Sequence, residues 1–322
     1  MEQANQLDKH ISTKFLLKFA LPTIISMTFT GLYSVIDGFF VANFISTDAL
    51  SAVNLMMPIV FFSIAVGMML GTGGIAVIAR KLGQKREQEA RENLSLIMLL
   101  AFIVSVIISA VAFLYIEPMI YLLGADKALY ALCYDYAVVV LAILPLTIFS
   151  VITQNAFIAA GKAHLSLALA VLGGVINIIL DYVLIVPFDM GITGAALATA
   201  LGYAIPAVIG ALDFACNRKG ILYLVKPKFD GKALWQSCTN GASEMVNSLS
   251  VAITTLLFNL AIMSMLGSDG VAALSIALYL MSIMSSVFMG YSVGIAPLIS
   301  YNYGKNETQR LKKYSKAVWQ YS

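Results

Sequence analysis

GGVINIILDYVLIVPFDMGITGAALATALG, residues 173–202, sets an acid, Asp181, and an amide, Asn177, in an otherwise apolar stretch of membrane-spanning length. Four residues separate the two, so a helix presents both on one face about one turn apart. A carboxylate in hydrocarbon costs at least about 2.5 to 3.5 kcal/mol, so such groups face a bundle interior or a cavity and mark routes for ions or substrates. The rest of the chain reads as a housing for this polar spot.

Working outward, the 322 residues are 60% apolar and only 11% charged, with a mean hydropathy of +0.88. Soluble domains carry about a quarter charged residues, so this is a polytopic membrane protein. Apolar runs near 15–45, 54–79, 95–116, 131–160, 165–186, 192–215, 235–265 and 271–300 are each long enough to cross about 30 Å of hydrocarbon as a helix. The alternating ten-residue segments of a membrane β-barrel are absent from the sequence. The fold class expected is therefore all-α, a membrane helix bundle.

The net charge of +3 is less informative than where the charges fall. Of the 20 Lys and Arg residues, 19 lie before the first run or in its first turn, where Lys18 falls, or after the second, fourth, sixth and eighth; Lys127 alone lies on the other side. The positive-inside rule then puts the amino terminus and every basic loop in the cytoplasm of a multi-pass cell-membrane protein. Topology accounts for these cations, so no nucleic-acid partner is implied. Cys133, Cys216 and Cys238 are odd in number and lack CxxC spacing, which indicates neither a disulfide framework nor a zinc site. The amino terminus has no short apolar core followed by a small-residue cleavage site, so no removed signal peptide is expected.

Along the chain, Pro22 predicts a bend near the start of the first span, either a packing kink or a hinge. Gly67, Gly71, Gly73 and Gly74 in the second span read as a close-packing surface, and the polar stretch after it as a surface helix leading to the third. Gln154 and Asn155 lie deep in the fourth span, as cavity lining or as interhelical hydrogen bonds. The segment from Asn217 to Trp235 is the longest polar break. The residues after this break repeat those before it at an offset of about 220 positions: Gly74, Ile75, Ala76 and Gly83 against Gly294, Ile295, Ala296 and Gly304. A parallel repeat of six-helix lobes, as in transporters, is the reading. It divides the chain into an amino-terminal lobe at 1–218, a cytoplasmic linker at 219–234 and the start of a second lobe at 235–322, where KAVWQYS begins a ninth helix. The second lobe is read as truncated from a twelve-helix protein.

Counting 1.5 Å per residue inward from the far ends of the spans puts Asp37 about 13 Å deep, Asp181 about 9 to 12 Å and Thr199 about 12 Å. Asn177 lies roughly 6 Å below Asp181 on the same face. Two carboxylates, an amide and a hydroxyl at one level make a hard-oxygen set suited to a small cation such as Na+. The alternatives are that the two acids share a proton, or that each hydrogen-bonds within a separate helix contact. Glu244, on the inner half of the seventh run, belongs to a different depth and is read as a second acidic site or a solvated vestibule residue.

The order of LP in the first span, YSVIDGFFVA at 33–42, GGIAVIARKLG at 73–83, NIILDYVLI at 177–185, GAALATALG at 194–202 and GIAPLISYNYG at 294–304 resembles the multidrug and toxic compound extrusion (MATE) transporters, bacterial drug-efflux branch. The resemblance implies two six-helix lobes around a central cavity and a transporter, not an enzyme. It implies export of drugs and other bulky, often cationic, organic compounds in exchange for Na+ or H+ by a monomer in contact with membrane lipid, with no cofactor beyond the coupling ion. It maps Asp37, Asn177, Asp181 and Thr199 to the cation site, Glu244 to an acid some members use in the second lobe, and Pro22 to the bend of the first helix. ASE at 242–244 departs from the pattern in lacking a proline before the acid. The alternative within the same superfamily is a lipid-linked oligosaccharide flippase. That class favours cations in the cavity, and no Lys or Arg falls well inside a span. An intramembrane aspartyl protease is disfavoured because Ile36 and Leu180, not the motif residues, precede the two acids.

Overall fold

A computed structural model describes residues 13–305 except 124 and 126. Its elements among those residues are helices: α1 (Thr13–Phe44), α2 (Thr47–Gly83), α3 (Glu87–Leu114), the short α4 (Ile116–Leu122), α5 (Tyr130–Ala159), α6 (Ala163–Ile185), α7 (Gly191–Cys216) and α8 (Gly231–Gly304). Six of them, α1 to α3 and α5 to α7, are long and apolar enough to span a membrane. They coincide with the first six runs of the sequence, so the all-α membrane bundle is the observed fold.

Local chemistry sets the helix ends. Ser46 is extended and its hydroxyl accepts from the Ala49 N–H at 3.0 Å, capping α2, with Asp48 in the first turn where the helix dipole favours an acid. The connection between α6 and α7 turns through Asp189 and Gly191, whose φ values are 50° and 55°. Glycine reaches that region freely, and aspartate is among the few other residues that visit it.

Two expectations change. The polar stretch after α2 forms no separate surface helix. Gln84, Lys85 and Arg86 make a tight turn, with Lys85 at φ 60°, and α3 starts at Glu87 and continues into the bilayer region. An amphipathic surface helix and the emerging end of a spanning helix share one charge pattern, so periodicity does not separate them. The seventh and eighth runs, expected as two helices, are assigned as one run of 74 residues. Straight, it would reach about 110 Å, yet Gln236 accepts a hydrogen bond from Arg80 at 2.7 Å and Gly304 packs against the same arginine's carbonyl. The run therefore doubles back, giving an outgoing limb that starts at Gly231 and a returning limb that ends at Gly304. The start of a ninth helix and the basic cluster Arg310, Lys312, Lys313 and Lys316 lie outside the described residues.

α2 packs on α5 and on both limbs of α8, α1 on α6 and α8, and α7 on α5 and α6. In a bilayer both faces of a helix are apolar, so small hydroxyls mark the inner one. On α3, Leu99, Phe102, Ile103, Val106 and Ile107 are exposed, while Leu94, Ile97, Met98, Ala101, Ser105 and Ser109 are buried. The Ser109 hydroxyl donates to the Leu141 carbonyl of α5 at 2.6 Å, an interhelical bond of the kind that replaces the hydrophobic drive in lipid.

The segment expected as a plain linker is pinned to the first bundle. Leu222 is buried, the Leu224 N–H donates to Phe214 O at 2.8 Å, and the Val225 N–H donates to Ser95 Oγ at 2.9 Å. Arg91 donates to the Ile221 carbonyl at 2.9 Å and lies over the Tyr223 ring at 4.4 Å, with Arg218 over the same ring at 5.4 Å.

Candidate functional site

Three helices converge on one polar spot. α1 carries Asp37, α6 carries Asn177 and Asp181, and α7 carries Thr199. Their approach depends on missing side chains. Gly173 and Gly202 let α6 and α7 meet backbone to backbone, and a Cβ on Gly202 would press on Asn177 Cβ at 3.1 Å. One residue along, Gly174 faces the rings of Phe29 and Tyr33, which brings α1 against the same stretch of α6. The glycines of the opening stretch thus set the distance between the acids.

Asp37, Asn177 and Asp181 are all buried, Asp181 completely. The Thr199 hydroxyl donates to Asp37 Oδ1 at 3.4 Å, and Asp181 and Asn177 lie alongside the same carboxylate. Both carboxylate oxygens of Asp181 and both amide atoms of Asn177 are buried without a hydrogen-bond partner. Buried polar groups are ordinarily paired, and an unpaired one costs about 1 to 3 kcal/mol, more if charged. The donor set fits a guest that supplies positive charge: a small hard cation held by carboxylate, amide and hydroxyl oxygens, or a proton shared by two acids. Among the described residues no cluster of three or more His, Cys, Asp or Glu side chains is present to hold a transition metal.

Three tyrosines missed by the sequence reading surround this spot. Tyr33 and Tyr203 face each other beside Asp37. Tyr136 of α5 is buried, with its hydroxyl unpartnered, next to Asp37, Asp181 and Thr199. Two were within reach of the spacing rule already used for Asn177 and Asp181: Tyr33 precedes Asp37 by four residues and Tyr203 follows Thr199 by four. Tyr136 has no such marker. A cavity of about 10 Å³, room for about one water, adjoins Thr199 and Tyr203 and is lined further by Val60, Ser63 and Thr147.

The other candidates fall elsewhere. Asn155 donates to the Val151 carbonyl of its own helix at 2.8 Å and packs against Gly71 of α2, and Gln154 donates to Ser150 Oγ at 3.1 Å. Both bonds stay within α5, so neither is the interhelical bond that is one of the two readings of this pair. Glu244 lies on the outgoing limb of α8, one turn past the contact of Gly241 with Met69, and its Oε2 is buried without a partner. It is not among the residues around Asp37 and Asp181. Pro22 is buried and α1 runs through it without a break; Gly290 and Gly294 of α8 pack on the neighbouring Thr23, Ile24 and Ala20.

The MatE family model matches residues 22–183 and 245–320. Multidrug export protein MepA of Staphylococcus haemolyticus (strain JCSC1435) is 27% identical over 319 residues, 98% of this chain and 70% of that protein. The protein of the same name from Staphylococcus aureus (strain MRSA252) is 26% identical over 318 residues, again 98% of this chain and 70% of the relative. A crystal structure of a MATE in complex with MaL6 shares the fold with a TM-score of 0.92 at 23% identity, covering 99% of this chain and 71% of that one. The two matched blocks take in three of the four converging residues, Asp37, Asn177 and Asp181, and most of both limbs of α8, and the chain belongs to the MatE family of membrane transporters.

Proposed function

We propose that this chain is a secondary active efflux transporter that exports organic, often cationic, compounds in exchange for Na+ or H+ by alternating access. On this reading it sits in a cell membrane with the amino terminus and the basic loops cytoplasmic. One observation carries it: Asp37 and Asp181, 144 residues apart in sequence, share a buried pocket in which the neighbour of each acid is the other acid and, among the described residues, no Lys, Arg or His pairs with either. The multidrug export named for the staphylococcal relatives supports the choice of cargo.

In this mechanism, Asp37, Asn177, Asp181 and Thr199 bind the incoming ion from the far side and neutralise the acid pair. Tyr33, Tyr136 and Tyr203 border the site and limit its access to water. Loss of the negative charge removes the repulsion between Asp37 on α1 and Asp181 on α6, and α1 shifts near Pro22 along the α8 glycines on which it already packs. Each elementary charge moving inward with the membrane potential gains about 2.3 kcal/mol per 100 mV, which offsets the outward movement of one cationic charge and leaves the ion's own concentration gradient to drive the exchange. A flippase of lipid-linked oligosaccharides is disfavoured, since the charges in the pocket between α1, α6 and α7 are acids and would repel a pyrophosphate.

Reconstitution in vesicles with independently imposed sodium and pH gradients tests the reading. Asp37→Asn and Asp181→Asn each lower gradient-driven ethidium export by at least about tenfold, the scale of one lost charge-specific contact. Export that survives both substitutions at the wild-type rate rejects the assignment.

A further inference from the structure

The stretch that joins the two arms of the fold, VKPKFDGKALW at 225–235, presents a surface that the transport reading does not use. It is pinned at both ends. Val225 is held by its N–H bond to Ser95. Asp230 is held by Lys81 at 3.0 Å, and its carboxylate accepts from the Ala233 N–H to cap α8. Between the pins, Lys226, Pro227, Lys228 and Phe229 are all exposed. On the first turns of α8, Ala233 and Ser237 turn inward, and Lys232 and Trp235 turn outward at a spacing of three, which puts them on one face. Phe229 is 79% exposed and Trp235 71%, and the Phe229 ring stands beside Gly231, so the two rings flank the lysines.

No ion pair involves Lys226, Lys228 or Lys232 among the described residues. The one acid from Arg218 to Ser243 is Asp230, already engaged by Lys81. The patch therefore keeps its full positive charge beside two exposed aromatic rings. Interfacial aromatics take the headgroup level of a bilayer, and clustered lysines beside a spanning helix attract anionic headgroups. A purely solvated loop has no use for an exposed Phe and Trp, and a protein-docking groove would have to bury three unpaired ammonium groups. The pins at Val225 and Asp230 fix the backbone between them, so little backbone ordering is needed on binding.

We propose that Lys226, Lys228 and Lys232, with Phe229 and Trp235, form a docking surface for anionic phospholipid headgroups at the basic end of the bundle. The proposal stands independently of the coupling ion and the exported compound.

Trp235 reports on it directly, because the chain has one other tryptophan, Trp319, which is removed as Trp319→Phe. The protein is reconstituted in phosphatidylcholine vesicles containing phosphatidylglycerol, with bromine placed on the acyl chains of one lipid or the other. At equal mole fraction, brominated phosphatidylglycerol is expected to quench Trp235 at least about twofold more than brominated phosphatidylcholine. The preference falls with added salt. It disappears in the triple Lys→Gln variant and is retained in the triple Lys→Arg variant, which keeps the charge and controls for folding. Equal quenching by the two lipids overturns the proposal, as does a preference that survives in the Lys→Gln variant. A preference abolished by millimolar inorganic phosphate at constant ionic strength assigns the surface to free anions and also overturns it.

Discussion

The polar cluster between α1, α6 and α7 and the polar seam at the basic end of the bundle both place aspartates between helices and are finished differently. At the seam, Lys81, with 9% of its side chain exposed, bridges Asp230 at 3.0 Å and Glu89 at 3.3 Å. Arg80 reaches Gln236, Arg91 pairs with Glu87, and Lys162 pairs with Asp213 at 2.8 Å. In the inner pocket, Asp181 and Asn177 have no such partners. At the seam Lys81, Arg91 and Lys162 are matched by acids of the chain, whereas the pocket keeps acids in excess of bases, which on the proposed reading an incoming ion completes. Removing Lys81 takes a cation from two acids, whereas removing Asp181 separates two like charges, so the two regions should respond in opposite ways to losing a charge.

The largest contrast is between Asp181→Asn and Lys81→Ala. The first removes an unmatched carboxylate and is expected to keep or raise thermal stability in the absence of coupling ion, while erasing any stabilisation that added sodium or a lowered pH brings to the wild type. The second leaves Asp230 and Glu89, both more than a third exposed, without their shared cation and lowers stability by about 1 kcal/mol or less. Thermal unfolding in detergent with and without sodium distinguishes the two, and equal losses in both variants would break the comparison.

A steric test comes next. Gly241 on the outgoing limb of α8 sits directly on the backbone of Met69, and a Cβ there would collide with a carbonyl that has no room to move. Gly241→Ala should destabilise by about 1 to 3 kcal/mol by forcing α2 and α8 apart. Gly38→Ala, where a Cβ meets nothing within 4 Å, should be close to neutral and serves as the control in the same melting experiment.

The smallest effect is a pH dependence at the seam. The Ala233 N–H bond, followed by Lys81, holds the Asp230 carboxyl below its usual range, outweighing its partial burial. A lowered folded-state value contributes stability that is complete above the ordinary aspartate value of about 3.9 and is lost as the pH falls through the folded value. Wild type and Asp230→Asn should therefore differ in melting temperature near neutral pH and converge below about pH 4. A difference that persists in acid would place the contribution of Asp230 in packing instead of charge.

Much of the pocket was legible before the fold. Depth along a straight helix is a count of residues, so Asp37, Asp181 and Thr199 could be set at one level from the span ends alone, and Asn177 came from its four-residue spacing. The same spacing marks Tyr33 and Tyr203, but aromatic residues in a span read equally as lipid-facing or core. Tyr136 is adjacent only because α5 packs beside α6 and α7. Asn155 illustrates the reverse case: an amide deep in a span suggests a cavity, and the structure instead bonds it to Val151 and sets it on Gly71.

The sequence alone determined how many times the chain crosses the membrane before the linker, which end is basic and how deep each acid lies, because hydrophobic length and rise per residue are local quantities. Tertiary structure decided which faces meet: that Asp37 turns toward Asp181, that residues 221–230 strap onto α2, α3 and α7, and that α8 returns to its starting end. Rotation about a helix axis and the docking of an extended segment depend on the neighbours' shapes, glycine contacts above all, and no stretch of sequence read by itself contains its neighbour.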